Sequence, residues 1–89
     1  MAVLMIPSSL RRYTNQQSRV TVSVSSIEEA LKRFSEDSCE LRNHLFSGQA
    51  LRKFIVVCKN GQDIRLLDGL QTPVGDADEV QIIASVAGG

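Results

Sequence analysis

A chain of 89 residues is one small domain, with a thin core and a small stability margin. Apolar residues make up 43%, near the globular average, so disorder is not the default reading. Ten basic residues balance ten acidic ones, and the basic excess that phosphate contacts demand of a nucleic-acid binder is missing.

In chain order, Ala2-Val3-Leu4-Met5-Ile6 is a short apolar run stopped by Pro7 and reads as a buried strand. Pro7 to Gln17 is polar and reads as irregular, anchored by Leu10 and Tyr13. Val20, Val22 and Val24 then alternate with Thr21 and Ser23, the period-two pattern of a strand with one buried face. Ser25 or Ser26 can cap a helix, with Glu28 or Glu29 three residues on closing a capping box. Ile27, Ala30, Leu31 and Phe34 fall at i, i+3, i+4 and i+7, one apolar stripe. Glu28 with Lys32 and Glu29 with Arg33 are i,i+4 pairs worth about 0.2–0.5 kcal/mol each. Leu41, Leu45 and Phe46 suggest a further helical turn.

Phe54-Ile55-Val56-Val57-Cys58 is continuously apolar, as expected of a central strand covered on both faces. Asn60-Gly61 supplies the positive φ values of a tight hairpin, returning through a strand at Asp63 to Leu66. Asp68-Gly69 and Thr72-Pro73 mark a loop, Asp76 to Glu79 a polar turn, and Val80 to Val86 a last strand. This order predicts an α+β domain, a mixed sheet of about five strands with one main helix on one face.

The start of the chain lacks the basic residues and longer apolar stretch of a secretion signal, and no run of about 18 apolar residues would span a membrane. Cys39 and Cys58 are too few for a disulfide framework, so the chain reads as cytoplasmic with its thiols reduced. Cys58 reads as a small core residue and Cys39 as exposed. His44 is the only histidine and reads as a surface residue, which leaves a metal cluster or a Ser-His-Asp triad without partners. Asp76, Asp78 and Glu79 lack the glycine and distal glutamate of a calcium loop and read as a solvated turn. Arg11-Arg12 and Arg52-Lys53 are short basic clusters, solvated by default.

The order of elements, the Asn60-Gly61-Gln62-Asp63-Ile64-Arg65 turn, the Gly75-Asp76-Ala77-Asp78-Glu79-Val80 approach to the last strand and the Val86-Ala87-Gly88-Gly89 ending together resemble the β-grasp, ubiquitin-like MoaD/ThiS sulfur carriers. Ile6-Pro7 through Leu10-Arg11 and Asp68-Gly69-Leu70-Gln71-Thr72-Pro73 look more like the carriers of amino-acid biosynthesis than like the molybdopterin synthase subunit. Ala84 and Ser85 stand where many relatives carry proline, and Lys59 where an apolar residue is common. Iron–sulfur ferredoxins share the β-grasp architecture but need four cysteines.

The resemblance implies a β-grasp domain over residues 1–85 and a tail over 86–89. It implies a protein substrate rather than an enzyme, binding no cofactor of its own. An adenylyltransferase of the ubiquitin-activating type would use ATP to adenylate Gly89, and a sulfur donor protein would convert it to a thiocarboxylate. A sulfur-accepting biosynthetic enzyme would then unload it. Gly88 and Gly89 give a backbone without Cβ atoms that can enter a narrow channel, and the tether from Val86 to Gly89 spans about 13 Å when extended. Val86 and Ala87 are expected to contact the partner within that tether. Ile83 matches an apolar position of the family's docking patch, with Met5 as a neighbour, although alternation does not tell which face of the sheet is covered. Two terminal glycines alone arise by chance in about half a percent of chains, a weak signal without the fold. The alternatives are the small subunit of molybdopterin synthase, a ubiquitin-like modifier conjugated through Gly89, and a plain interaction domain with an inert ending.

Overall fold

The computed structural model describes residues 1–84. Ala2–Met5 (β1) pairs antiparallel with Arg19–Val22 (β2). Between them, Ser8–Tyr13 forms a 3₁₀ helix where an irregular segment was expected. It turns Leu10 into the core, only 4% exposed, and packs Tyr13 against it.

Ile27–Phe34 (α1) follows, capped as its sequence requires: the Ser26 hydroxyl oxygen accepts from the Glu29 amide at 3.2 Å. The return leg of the box is altered, since the Glu29 carboxylate takes the Ser25 hydroxyl at 3.1 Å. Glu28 and Lys32 pair at 3.6 Å on the solvent side; Glu29–Arg33 is not among the ion pairs of the described residues. Cys39–Leu45 (α2) is a second helix, capped by the Ser38 hydroxyl oxygen, which accepts from Leu41 N–H at 3.1 Å. Phe46 leaves that helix and opens a small hairpin of Phe46–Ser47 (β3) and Ala50–Leu51 (β4).

Ile55–Lys59 (β5) then leads through Asn60 (φ 51°) and Gly61 (φ 85°) into Gln62–Asp63 (β6). The return strand is shorter than expected. Asp63 accepts from the Arg65 amide at 2.9 Å, and Ile64–Leu66 turns as a 3₁₀ segment that buries Ile64 and leaves Leu66 exposed. A last 3₁₀ turn at Gly69–Gln71 brings Thr72 and Pro73 beside the start of α1, where Ile27 N–H donates to the Thr72 carbonyl at 3.0 Å. The chain then enters Glu79–Ala84 (β7).

The five strands of the main sheet are ordered β2-β1-β7-β5-β6, with β1 and β7 parallel and the other pairs antiparallel. This is the β-grasp, ubiquitin-like fold. The core lies between the helices and one face of this sheet. Ile27, Ala30 and Leu31 of α1 and Leu41 and Leu45 of α2 meet Ala2, Leu4, Ile55, Val57, Val80 and Ile82 from the strands. The opposite face carries no helix among the described residues. No described helix is long and apolar enough to cross a membrane.

Candidate functional site

Strand β7 is the middle strand of the sheet, held by β1 on one side and β5 on the other. Its alternation is unambiguous: Val80 and Ile82 point into the core at 0% and 1% exposure, whereas Glu79, Gln81 and Ile83 point to the open face. The register extends this face. Arg19, Met5, Gln81, Cys58 and Asp63 lie opposite one another in a single row across all five strands. Ile83 lies opposite Val56 in the next row.

The sheet therefore places Met5 and Ile83 on the same open face, one diagonal step apart through Gln81. Met5 is half-buried by its neighbours, and Ile83 is 40% exposed, large for an isoleucine in a central strand. Cys58, expected in the core, lies half-buried on this face, because the phase of β5 turns Ile55 and Val57 inward and Val56 and Cys58 outward. Val86, Ala87, Gly88 and Gly89 lie outside the described residues.

The start of β7 is fixed by a latch that joins two motifs far apart in the sequence. The Asn60 side chain donates to Asp78 Oδ1 at 2.9 Å and its Oδ1 accepts from the Glu79 amide at 2.9 Å. The Asn60 amide donates to the Glu79 carbonyl at 2.8 Å. Asp78 Oδ2 in turn accepts from the Gly75 amide at 2.7 Å and pairs with Lys59 Nζ at 3.6 Å. These contacts, the Gly75 amide first and then Asn60 and Lys59, hold the Asp78 carboxyl below its ordinary pKa. Lys59 has a structural role: its ammonium also donates to the Pro73 carbonyl at 2.7 Å. The Asp76–Glu79 turn is thus a register lock, and sequence reasoning missed it because its partners lie on another hairpin.

A second ion pair stands at the far edge. Arg65 binds Asp63 through two nitrogens, lowering the Asp63 pKa and raising its own. His44 is half-buried against Tyr13, with ring centroids 6.1 Å apart, and Cys39 is exposed. Among the described residues no cluster of three histidine, cysteine or acidic side chains is placed to hold a metal. A cleft of about 670 Å³ runs along α1 and is lined by charges of both signs, Glu28, Lys32, Arg33 and Arg42 among them. Glu28 and Lys32 on its wall are already paired with each other at 3.6 Å.

The ThiS family matches residues 4–89, all but the first three residues. The chain belongs to the ThiS family. It is a sulfur carrier of that type, a protein substrate and not an enzyme. The sulfur carrier protein CysO of Mycobacterium tuberculosis is 29% identical to this carrier over 87 residues, which cover 94% of each chain. A chain of the Amycolatopsis orientalis BexX/CysO complex superposes on it with a TM-score of 0.89 at 28% identity, covering 100% of both chains. Small archaeal modifier protein 1 of Methanosarcina acetivorans shares the fold, with a TM-score of 0.86 at 24% identity over 99% of this chain and 95% of its own.

Proposed function

We propose that this carrier works through the carboxylate of Gly89. A carboxylate is a poor electrophile, so an adenylyltransferase first joins it to AMP, its oxygen attacking the α-phosphorus of ATP and pyrophosphate leaving. Hydrosulfide delivered by a donor protein then attacks the acyl carbon and AMP leaves with the bonding electrons, and the thiocarboxylate that results is far more nucleophilic than the carboxylate it replaces. That sulfur passes to a biosynthetic enzyme. The Ile6–Arg11 and Asp68–Pro73 motifs, together with the likeness to CysO, support a place in amino-acid biosynthesis. The observation that carries the reading is the family match running through to Gly89, with the central strand β7 leading the chain toward it.

Ile83 and Met5, with Val56 beside them, form the docking patch for the activating enzyme, and Val86 and Ala87 lie along its channel. An exposed isoleucine flanked by half-buried apolar side chains on an open sheet face is what such contacts use. Gly88 keeps the approach to the nucleotide free of a Cβ.

The test is ATP–pyrophosphate exchange by the adenylyltransferase of the same organism. The full chain should support exchange. A chain lacking Gly88-Gly89 and a Gly88→Val variant should fall to background while their far-UV circular dichroism stays unchanged. Exchange that survives the deletion would rule out Gly89 as the reacting group.

A further inference from the structure

The carrier has no net charge, yet its charges are distributed unevenly between paired and unpaired groups. Where β7 begins, the acids are matched: Asp76 pairs with the Met1 amino group at 3.6 Å, Asp78 with Lys59 at 3.6 Å and Glu79 with Arg19 at 3.7 Å. Where it ends, the two basic clusters converge from opposite sides. Ala84 pairs with Ile55, the first residue of β5, so Arg52 and Lys53 lie in the segment beside the end of β7. On the other side β1 runs parallel to β7, with Met5 opposite Gln81. Arg11, in the 3₁₀ helix after β1, donates from Nε to the Ile6 carbonyl at 3.2 Å, which holds its guanidinium at that same end of the sheet.

Two of these cations, Arg11 and Arg52, are held in place by backbone carbonyls, which carry no full charge to neutralise them. The Arg52 guanidinium donates to the Asn43 carbonyl, and Lys53 is exposed. Among the described residues Arg11, Arg52 and Lys53 enter no ion pair. Glu40, which lines a cleft of about 320 Å³ with His44, Arg52 and Phe54, is already engaged by Arg12 at 3.4 Å. Three like charges at one end of a neutral domain repel one another and focus a positive field, which anionic surfaces relieve.

We propose that Arg11, Arg52 and Lys53 form a basic collar around the end of β7 that docks on an acidic protein surface at the mouth of the adenylyltransferase channel. This rests on the carrier reading above. A protein surface fits better than the phosphates of ATP. The five residues from Ser85 to Gly89 span about 16 Å when extended, so a collar on the domain body stays outside while Gly89 reaches the nucleotide. The collar orients the carrier and speeds encounter, and the apolar patch at Ile83 and Met5 holds the docked state.

The experiment measures KM for the carrier in ATP–pyrophosphate exchange, as a function of salt, with the adenylyltransferase of the same organism. The variants are Lys53→Gln, the double change Arg52→Gln with Lys53→Gln, and Arg33→Gln as a cation-removing control on the far surface of α1. Lys53 is exposed and enters no side-chain hydrogen bond or ion pair among the described residues, so the single change reads charge. Wild type should show a KM that rises with ionic strength. Lys53→Gln should raise KM about threefold and the double variant about tenfold at low salt, with kcat unchanged and the difference fading at high salt. Arg33→Gln should behave as wild type. Identical carrier KM values for wild type and the double variant would overturn the collar, and so would a rise confined to the KM for ATP. If wild type itself supports no exchange, the carrier reading fails first and the collar with it.

Discussion

Ile82 and Ile83 are adjacent, chemically identical and on opposite faces of β7, so they separate folding from docking within one dipeptide. Ile82 is 1% exposed in the core and Ile83 is 40% exposed on the open face. Truncating Ile82 to alanine removes buried methylenes and leaves a cavity, a loss of about 2–5 kcal/mol. Truncating Ile83 forfeits only the covered part of its transfer energy, about 1 kcal/mol, and leaves no cavity because water reaches the site. In a domain of this size 1 kcal/mol shifts Tm by about 4–8 °C, so Ile83→Ala should cost about 5 °C and Ile82→Ala at least about 8 °C. Ile82→Val, at about 0.5–1.5 kcal/mol, keeps the core arm measurable if the alanine variant unfolds. The chain has no tryptophan and one tyrosine, so urea unfolding is best followed by far-UV circular dichroism. With the adenylyltransferase the order should reverse: Ile83→Ala raises the carrier KM, and folded Ile82→Val leaves it unchanged. Equal stability costs for the two alanine variants would mean that the Ile83 face is covered, and the patch assignment would fail.

Removing the α1 cap by Ser26→Ala should destabilise the domain by about 1 kcal/mol in urea unfolding, since the Glu29 amide loses its partner. Gly61→Ala, which puts a Cβ on a residue at φ 85°, should cost about 1–2 kcal/mol in the same assay; an unchanged midpoint would show that the turn relaxes. The Asp78 carboxyl has a folded pKa below its unfolded value of 3.8, so its contribution is complete above that value and is lost as pH falls through the folded pKa. The gap in urea midpoint between wild type and Asp78→Ala should be widest above about pH 5 and close toward about pH 2. A gap independent of pH would mean that the latch does not depend on the carboxylate charge.

Local signals were readable without the structure. Ser26 and the Ile27, Ala30, Leu31 and Phe34 stripe specify α1 within a few residues, and Asn60-Gly61 specifies its turn because few residues accept positive φ. Leu10 and Tyr13 stood out as anchors because they are apolar in a polar stretch. What escaped depends on phase or on distance. A continuous apolar run such as Phe54 to Cys58 has no alternation, so nothing local says that Cys58 faces outward. Asp63 to Leu66 has strand-like residues, but the Asp63 carboxylate captures the Arg65 amide and turns the chain. The β3–β4 hairpin has two residues per strand, too few to show a period. The contact between Asn60 and Asp78 joins residues brought together only by sheet order. Of the site, Ile83 and Met5 were named from resemblance, and only the position of α1 and α2 on the opposite face shows that both are presented to solvent.

The central claim is that Gly89 carries sulfur. The most direct measurement is the intact mass of the native protein, purified without a C-terminal tag and before any alkylating agent, then after incubation with adenylyltransferase, ATP and a sulfur source. A fraction heavier by one oxygen-to-sulfur exchange, localised to Gly89 by fragmentation, is the predicted result. A mass that stays unmodified after that incubation would contradict the account.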